Sequence, residues 1–255
     1  MGASSSARIQ VLKSSRPWGA PTRERLHRRW RYHSPMTIPT FPATSATLML
    51  PGPVGPLELA VDPADADSTP LPLTVVLCHP LSTEGGSLNN KVVTMAARSL
   101  RELGASSVRF NFRGVGKSEG SFDQGEGEQQ DLLAVVDWVR QQRPDDDLWL
   151  AGFSFGAYVS LRACDAAQPE GLISIAPPAG RWDFAHIAPV ACPWLLIQGE
   201  NDEIVEPQAV YNWIDTLKRK PELVRMPDTT HFFHRKLIDL RGALQHGVKR
   251  WLPVA

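Results

Sequence analysis

The hydrophobic positions of this 255-residue chain form short apolar runs that alternate with stretches of helical spacing. Residues 73–78 are an almost continuous apolar run, which is typical of a parallel strand covered on both faces. After Asn89, a candidate helix cap, apolar residues recur every three or four positions. The alternation continues to a last helix whose apolar stripe ends at Trp251. This pattern predicts an α/β fold with helices on both faces of the sheet.

The start of this pattern differs from the rest. Two apolar segments, residues 47–50 and 57–61, flank a turn rich in proline and glycine. Strands joined by so short a turn pair antiparallel. We therefore predict a mostly parallel central sheet that begins with an antiparallel hairpin. Right-handed crossovers bring the carboxyl ends of the parallel strands to one edge, where catalytic loops collect.

Composition and charge narrow the class of protein. The chain is 42% hydrophobic and 21% charged, with zero net charge, as in soluble globular proteins. No bulk charge draws it to nucleic acid, and no apolar run is long enough for a membrane span. Three cysteines, Cys78, Cys164 and Cys192, match no zinc or redox spacing. Reduced thiols indicate a cytoplasmic location.

The first 35 residues have a different composition. They hold eight basic residues against one acidic residue, a net charge of +7, which leaves −7 for the rest. They are also rich in serine and lack apolar periodicity, so we predict a basic, disordered extension over 1–35 and a folded domain over 36–255. Three interpretations stay open: an arm or upstream extension with Met36 as the true start, a transit peptide, or a basic arm for an anionic partner.

The most informative segment, residues 152–156, has the sequence GFSFG. This is the spacing of a nucleophile elbow, a sharp strand-to-helix turn that exposes a serine hydroxyl. An apolar run precedes it and a helical pattern follows it, as the elbow requires. A serine hydroxyl is a weak nucleophile, so Ser154 needs a base, and the base needs an orienting carboxylate.

Both partners follow Ser154 in the expected order, each just after a predicted strand. Asp202 follows the apolar run 194–198, and His231 follows the run 222–226. We predict Ser154, Asp202 and His231 as the catalytic residues. Glu200 and Glu203 are the alternative acids. His234 is the alternative base, and His231 is preferred because it is nearer the strand end. Asp228 is expected to be a turn residue.

An oxyanion hole needs two backbone N–H donors. One is expected from Phe155, directly after the nucleophile, and one from Leu81, the first residue after Pro80 with a free N–H. Only the seventeen residues of segment 177–193 separate two of the predicted strands, too few for a multi-helix cap, so no large lid is expected. Phe153 and Trp182 are the predicted substrate-binding residues of an open cleft.

Together these segments resemble the α/β-hydrolase superfamily, and within it the small lidless bacterial hydrolases near the dienelactone-hydrolase-like and acyl-peptidase-like proteins. The matching segments are HPL (79–81) with GG (85–86), NKVV (90–93), FNFRGVG (110–116), SEG (118–120), AGFSFGA (151–157), QGENDEIV (198–205) and HFFH (231–234). The resemblance covers about residues 45–252. It implies a Ser154–Asp202–His231 triad and an oxyanion hole at Leu81 and Phe155. Relatives often have an acid where this chain has Thr230.

The expected function is a serine hydrolase that acts on carboxylic esters through an acyl-enzyme, with thioesters and activated amides left open. No cofactor or metal is implied. The expected partner is a small-molecule ester-type substrate, without nucleic acid or membrane, and a homodimer stays open. Two alternatives remain: a non-catalytic binding or scaffold module with this fold, and a peptidase or carbon–carbon bond hydrolase with the same triad.

Overall fold

The computed structural model describes residues 37–254, and the predicted extension over 1–35 lies outside the described residues. The described strands are β1 (Ala46–Pro51), β2 (Pro56–Asp62), β3 (Leu73–Cys78), β4 (Ser106–Phe110), β5 (Asp147–Phe153), β6 (Gly171–Ile175), β7 (Trp194–Gly199) and β8 (Glu222–Met226). The helices are α1 (Lys91–Arg101), α2 (Glu126–Gln142), α3 (Phe155–Ala167), α4 (Pro207–Thr216) and α5 (Leu237–Val248), with short 3-10 turns at Ser82–Glu84 and Lys249–Trp251.

The strands form one sheet in the order β1-β2-β4-β3-β5-β6-β7-β8. β1 pairs with β2 and β2 with β4 in antiparallel fashion, and every other neighbouring pair is parallel. The predicted hairpin and the predicted parallel sheet are both confirmed. The carboxyl ends of β3, β5, β7 and β8 lie at one edge, and the loops that follow them carry the candidate site.

Helices cover both faces of the sheet, as the alternating apolar pattern requires. Residues of α1 and α5 pack with one set of strand side chains, which includes Val75 and Trp149. Residues of α2, α3 and α4 pack with the other set, which includes Val76 and Leu150. Successive residues of a strand face opposite sides of a sheet, so β3 and β5 contribute to both cores. β3 is buried throughout, and β5 is buried from Leu148 onward.

Helix α1 begins one residue later than the sequence predicts. The side chain of Asn90, not Asn89, accepts hydrogen bonds from the N–H groups of Val92 at 2.9 Å and Val93 at 3.5 Å. The Asn90 N–H itself closes a turn onto the Ser87 carbonyl, so Asn89 is an exposed residue within that turn. The prediction of Asn89 as the helix cap is wrong, because the spacing of apolar residues does not distinguish between two adjacent asparagines.

The segment between β6 and β7 forms no helix. Residues 177–193 run as turns and irregular chain from the carboxyl end of β6 to the start of β7, with a bridge between Ala179 and Trp182. The Trp182 ring packs 4.8 Å from the ring of Phe155 and 5.2 Å from that of Tyr158. The absence of a large lid in the described chain is confirmed. None of the helices within residues 37–254 has the length and apolar character of a membrane span.

Candidate active site

Ser154 lies in the sharp turn between β5 and α3. Its backbone has φ 53° and ψ −121°, outside the regions that residues with a Cβ favour. The two glycines of the turn are required by close approach. A Cβ on Gly152 would lie 2.2 Å from the Gly156 carbonyl oxygen, and one on Gly156 would lie 2.3 Å from the Cys78 carbonyl oxygen. The predicted elbow geometry is therefore present, and the Ser154 side chain reaches the surface of a cleft.

His231 and Asp202 come to Ser154 from the loops after β8 and β7. The His231 Nε2 atom lies 3.0 Å from the Ser154 Oγ atom, and its Nδ1 atom lies 2.8 Å from an oxygen of Asp202. Because the Asp202 carboxylate can only accept, Nδ1 carries the ring proton and Nε2 is free to accept the proton of the Ser154 hydroxyl. All three predicted residues meet in one hydrogen-bonded chain. His231 and Asp202 are buried.

The Asp202 carboxylate is held by four donors. Its Oδ1 atom accepts from the backbone N–H groups of Ile204 at 2.9 Å and Val205 at 2.7 Å. Its Oδ2 atom accepts from His231 and from the Gln198 amide at 3.0 Å. Burial would raise the pKa of the Asp202 carboxyl, but the bond and charge of His231, with the two backbone N–H groups, hold that pKa below its ordinary value. Asp202 is thereby kept as a carboxylate.

The rival acids and the rival base take other positions. Glu203 accepts a hydrogen bond from the His231 backbone N–H at 3.1 Å instead of contacting the imidazole. Glu200, Asp228 and His234 are exposed. The structure thus brings His231 and Asp202, rather than the alternatives, to Ser154.

Phe153 occupies a different place from the one predicted. The prediction put it in the cleft wall, but Phe153 is fully buried and its ring lies 5.0 Å from the His231 ring, between centroids. As the last residue of β5, its side chain faces the core shared with α1 and α5. Phe153 is therefore a support beneath the imidazole and not a substrate-binding residue.

The expected oxyanion donors both border the cleft. Among the described residues, neither the Leu81 N–H nor the Phe155 N–H donates to another protein group. Phe155 is the first residue of α3, where backbone N–H groups have no partner within the helix. The Leu81 carbonyl, in contrast, accepts from the N–H groups of Glu84 and Gly86, which closes the loop around it. Within the described chain, two backbone N–H groups without a protein partner therefore belong to residues that line the same cleft as Ser154.

His79 braces the loop that carries Leu81. Its Nε2 atom accepts from the Phe112 N–H at 3.1 Å, so Nδ1 carries the proton and donates to the Pro80 carbonyl at 2.7 Å. Burial lowers the pKa of His79 to about 4, which keeps the ring neutral. A Cβ on Gly86 would lie 2.1 Å from the same Pro80 oxygen, so the loop folds tightly against this carbonyl. His79 is a structural residue next to the candidate oxyanion hole.

The cleft around Ser154 is open and mostly apolar. Its volume is about 520 Å³, including the part open to solvent. Trp182 lines it as predicted, with Leu81, Phe155 and Pro178 on that part of the wall. Ile204 and Phe232, which flank Asp202 and His231 in sequence, add two exposed apolar side chains at the rim.

Three polar residues of the site have roles that the sequence does not predict. Gln198 orients Asp202, and Glu203 holds the backbone of His231. Arg181 lines the cleft. A weak signal exists only for Gln198: a lone amide at the end of the apolar strand β7 is unusual unless it has a buried partner. Glu203 is marked in the sequence only as an alternative acid, and nothing in the sequence marks Arg181.

The fold and the site define an α/β serine hydrolase without a lid. A solved α/β serine hydrolase without lid from Xanthomonas campestris is 70% identical, covers 85% of this chain and 99% of its own, and superposes with a TM-score of 0.83. An α/β serine hydrolase homologue from Coxiella burnetii is 42% identical over 82% of this chain and 100% of its own, with a TM-score of 0.79.

Sequence comparison identifies the family. The profile of the X-Pro dipeptidyl-peptidase (S15) family matches residues 11–189, so the chain belongs to that family. The matched region contains Ser154 and ends before Asp202 and His231. An uncharacterised protein of Rickettsia prowazekii is 34% identical over 204 residues, which are 76% of this chain and 84% of that protein. The resemblance to lidless α/β hydrolases is confirmed, and so is the expectation of a hydrolase.

Proposed function

We propose that the protein hydrolyses carboxylic esters by way of an acyl-enzyme on Ser154. The observation that carries this proposal is the unbroken chain from the Ser154 Oγ atom through His231 to Asp202, with distances of 3.0 Å and 2.8 Å. A neutral imidazole in this position takes the serine proton while the oxygen attacks the acyl carbon.

The remaining steps use the same groups. The oxyanion of the tetrahedral intermediate accepts from the N–H groups of Leu81 and Phe155. His231 then gives its Nε2 proton to the departing alcohol, which leaves the acyl group on Ser154. Water then attacks the acyl carbon while His231 takes its proton. The bond between the acyl carbon and the Ser154 Oγ atom breaks, Oγ regains the proton from His231, and the acid leaves, so that the enzyme returns to its starting state. Phe153 and Asp202 hold the imidazole in place throughout.

The cleft supports small substrates. It is open, and no lid of the described chain covers it. Apolar side chains from two walls, including Trp182 and Phe232, suit a short or mid-length acyl group and an apolar alcohol. Thioesters and activated amides have the same reacting carbonyl and are included as weaker candidates.

A second candidate function is the cleavage of peptides after proline, which the family match favours. The two candidates share the serine chemistry and differ in the leaving group. Aryl esters of two to eight carbons, compared with an X-Pro aryl amide, separate them. We expect higher kcat/KM on the esters; turnover confined to the X-Pro amide would favour the peptidase.

A fluorophosphonate probe tests the shared chemistry without a substrate. Native protein is expected to take up one label per chain, on the peptide that contains Ser154, and the variant Ser154→Ala is expected to take up none. Acid-denatured protein serves as a control, because labelling requires the assembled site. A native protein that stays unlabelled and hydrolyses none of the esters would instead indicate the non-catalytic binding module.

A further inference from the structure

Two ionised side chains border the cleft outside the Ser154–His231–Asp202 chain. Glu84 lies in the 3-10 turn after Leu81, and Arg181 lies in the segment between β6 and β7. Among the described residues that line the cleft, Arg181 is the only lysine or arginine. A cation near a nucleophilic serine selects substrates by charge. What Arg181 can bind therefore depends on the contacts that hold its side chain and on the groups with which it already pairs.

The main chain holds Arg181 in a tight turn. The N–H groups of Arg181 and Trp182 both donate to the Pro178 carbonyl, at 3.1 Å and 3.2 Å. Gly180 has a φ of 86°, which a residue with a Cβ rarely adopts, so the turn depends on this glycine. The neighbouring Trp182 ring packs on Phe155 and Tyr158. The position of the Arg181 Cα is therefore set by the wall of the cleft.

The guanidinium is anchored as well. Its Nη1 atom donates to the Ile204 carbonyl at 3.2 Å, in the loop that also carries Asp202. This bond uses one of five N–H donors and leaves the positive charge unbalanced. Arg181 is exposed, and this bond holds its guanidinium at one point, which reduces the conformational entropy that the side chain loses when it binds a ligand.

Arg181 differs in this respect from most arginines of the described chain. Arg98, Arg162 and Arg241, for example, each pair with a glutamate. Arg181 forms no ion pair with any carboxylate of residues 37–254. Such an arginine has free N–H donors in the wall of a cleft and no carboxylate partner. It is suited to a planar anion, which it binds by two parallel hydrogen bonds.

We propose that Arg181 binds a carboxylate of the substrate, and that the preferred substrates are esters that carry a free carboxylate beside the scissile ester bond. This inference rests on the proposed ester hydrolysis. Glu84 adds a repulsive charge at the 3-10 turn, so an anionic group is favoured at the Arg181 part of the cleft and disfavoured near Glu84. The carboxylate can belong to the acyl chain or to the alcohol, and the experiment treats the two cases separately.

The experiment compares matched pairs of esters. For the acyl side the pair is 4-nitrophenyl hydrogen adipate and 4-nitrophenyl hexanoate, which have equal chain length. For the alcohol side the pair is the butanoate ester of 3-hydroxybenzoate and phenyl butanoate. Wild type is expected to favour the charged member of at least one pair in kcat/KM. Arg181→Gln should lower that preference, the ratio of the two kcat/KM values, about tenfold, as expected for charge-assisted hydrogen bonds.

Three controls make the result specific. Arg181→Lys keeps the positive charge but lacks the planar guanidinium that can donate two parallel hydrogen bonds, so it should keep only part of the preference. Arg98→Gln changes the net charge equally, away from the cleft, and should keep all of it. Salt at 0.5 M should weaken the preference of wild type, since the site is open to solvent.

The outcomes separate this inference from the function on which it rests. An equal preference in wild type and Arg181→Gln on both pairs, with turnover that Ser154→Ala abolishes, overturns the carboxylate site and leaves ester hydrolysis standing. Turnover of all four esters that survives in Ser154→Ala overturns the proposed function itself. A preference that falls in Arg181→Gln and persists in Arg98→Gln supports the carboxylate site.

Discussion

Gly156 of the nucleophile turn packs directly against Cys78 at the end of β3. A Cβ built on Gly156 would lie 2.3 Å from the Cys78 carbonyl oxygen and 2.6 Å from that of His79. These residues immediately precede the loop that carries Leu81, whereas Gly156 immediately follows Phe155. The contact therefore sets how close the two candidate oxyanion donors lie to each other.

Gly156→Ala is expected to damage stability and activity together. The added methyl group meets backbone atoms, which cannot rotate away as a side chain can, so α3 and β3 must separate. We expect a loss of about 2 to 4 kcal/mol in the free energy of unfolding, measured in urea. We also expect a larger loss of kcat than of substrate binding in whatever folded protein remains, because the oxyanion donors move apart.

Gly242 provides the matched control. It lies within α5, its φ is not positive, and a Cβ there would meet no atom within 4 Å. Gly242→Ala should therefore stabilise the protein by about 0.5 to 1 kcal/mol through helix propensity, and leave kcat unchanged. Equal effects of the two substitutions would show that the Gly156–Cys78 contact does not constrain the turn.

Ser154→Ala is expected to leave the fold intact and to remove nearly all turnover, on the order of 10⁶-fold in kcat by the precedent of other triads. The hydroxyl makes one hydrogen bond to a side chain, that to His231, so its loss creates no large cavity. Ester hydrolysis by the purified variant, with the thermal unfolding midpoint as the check on folding, is the measurement. A rate within a hundredfold of wild type would exclude Ser154 as the nucleophile.

Asp202→Asn tests the orienting carboxylate. Both oxygens of Asp202 accept two hydrogen bonds each, so the amide nitrogen of asparagine faces donors wherever it is placed. We expect kcat to fall by about 10⁴-fold, since the imidazole loses its tautomer, and the unfolding midpoint to fall as well. Asp228→Asn is the control: Asp228 is exposed, precedes His231 by three positions and should behave like wild type. A comparable loss in both variants would point to a general charge effect.

His79 should make stability depend on pH. Its pKa in the folded protein is about 4, below the ordinary value of 6.5, so the unfolded chain binds the proton more tightly. The stability that the neutral ring contributes is therefore complete above pH 6.5 and is lost as the pH falls towards 4, by roughly 2 to 3 kcal/mol. Chemical unfolding of wild type and His79→Gln between pH 8 and pH 4.5 measures this difference.

The expected result is a shallower pH dependence in His79→Gln, because glutamine has no proton to gain. His186→Gln removes an exposed histidine and should reproduce the slope of wild type. Parallel slopes in wild type and His79→Gln would mean that folding does not shift the pKa of His79.

The position of Ser154 in a tight turn can be predicted from the sequence, because such a turn needs glycine at two fixed positions, here Gly152 and Gly156. His231 and Asp202 are predictable for a related reason: parallel strands end at one edge, so residues after β7 and β8 meet there. The fold can be predicted from the spacing of apolar residues, because this spacing shows whether a helix or strand is buried on one face or on both.

Other features depend on contacts that no local pattern carries. Phe153 looks like a cleft residue because it adjoins Ser154, yet the alternation along β5 turns its side chain into the core. The choice of Asn90 over Asn89 depends on a turn to Ser87. Gln198 and Glu203 contribute to the site only through their hydrogen bonds to Asp202 and to the His231 backbone, which form when the chain folds. Arg181 is exposed, and its relation to Ser154 arises from the path of residues 177–193 over the sheet.

That path also predicts how substrates enter. Residues 177–193 form turns whose aromatic side chains are already packed: Trp182 on Phe155, and Phe184 with its ring 4.7 Å from that of Trp213. Because these contacts hold the segment in place and leave the cleft open, the enzyme needs no lid-opening step. Its activity should therefore not depend on a lipid surface. We expect turnover of a long-chain aryl ester to rise smoothly with concentration and to show no jump at its critical micelle concentration. Initial rates measured across that concentration, with a butanoate ester as the soluble control, test this. We also expect kcat/KM to be highest for acyl chains of about two to eight carbons, since an open cleft without a lid leaves the end of a longer chain in water. A sharp increase in rate at the micellar transition would show that residues 177–193 move as a lid.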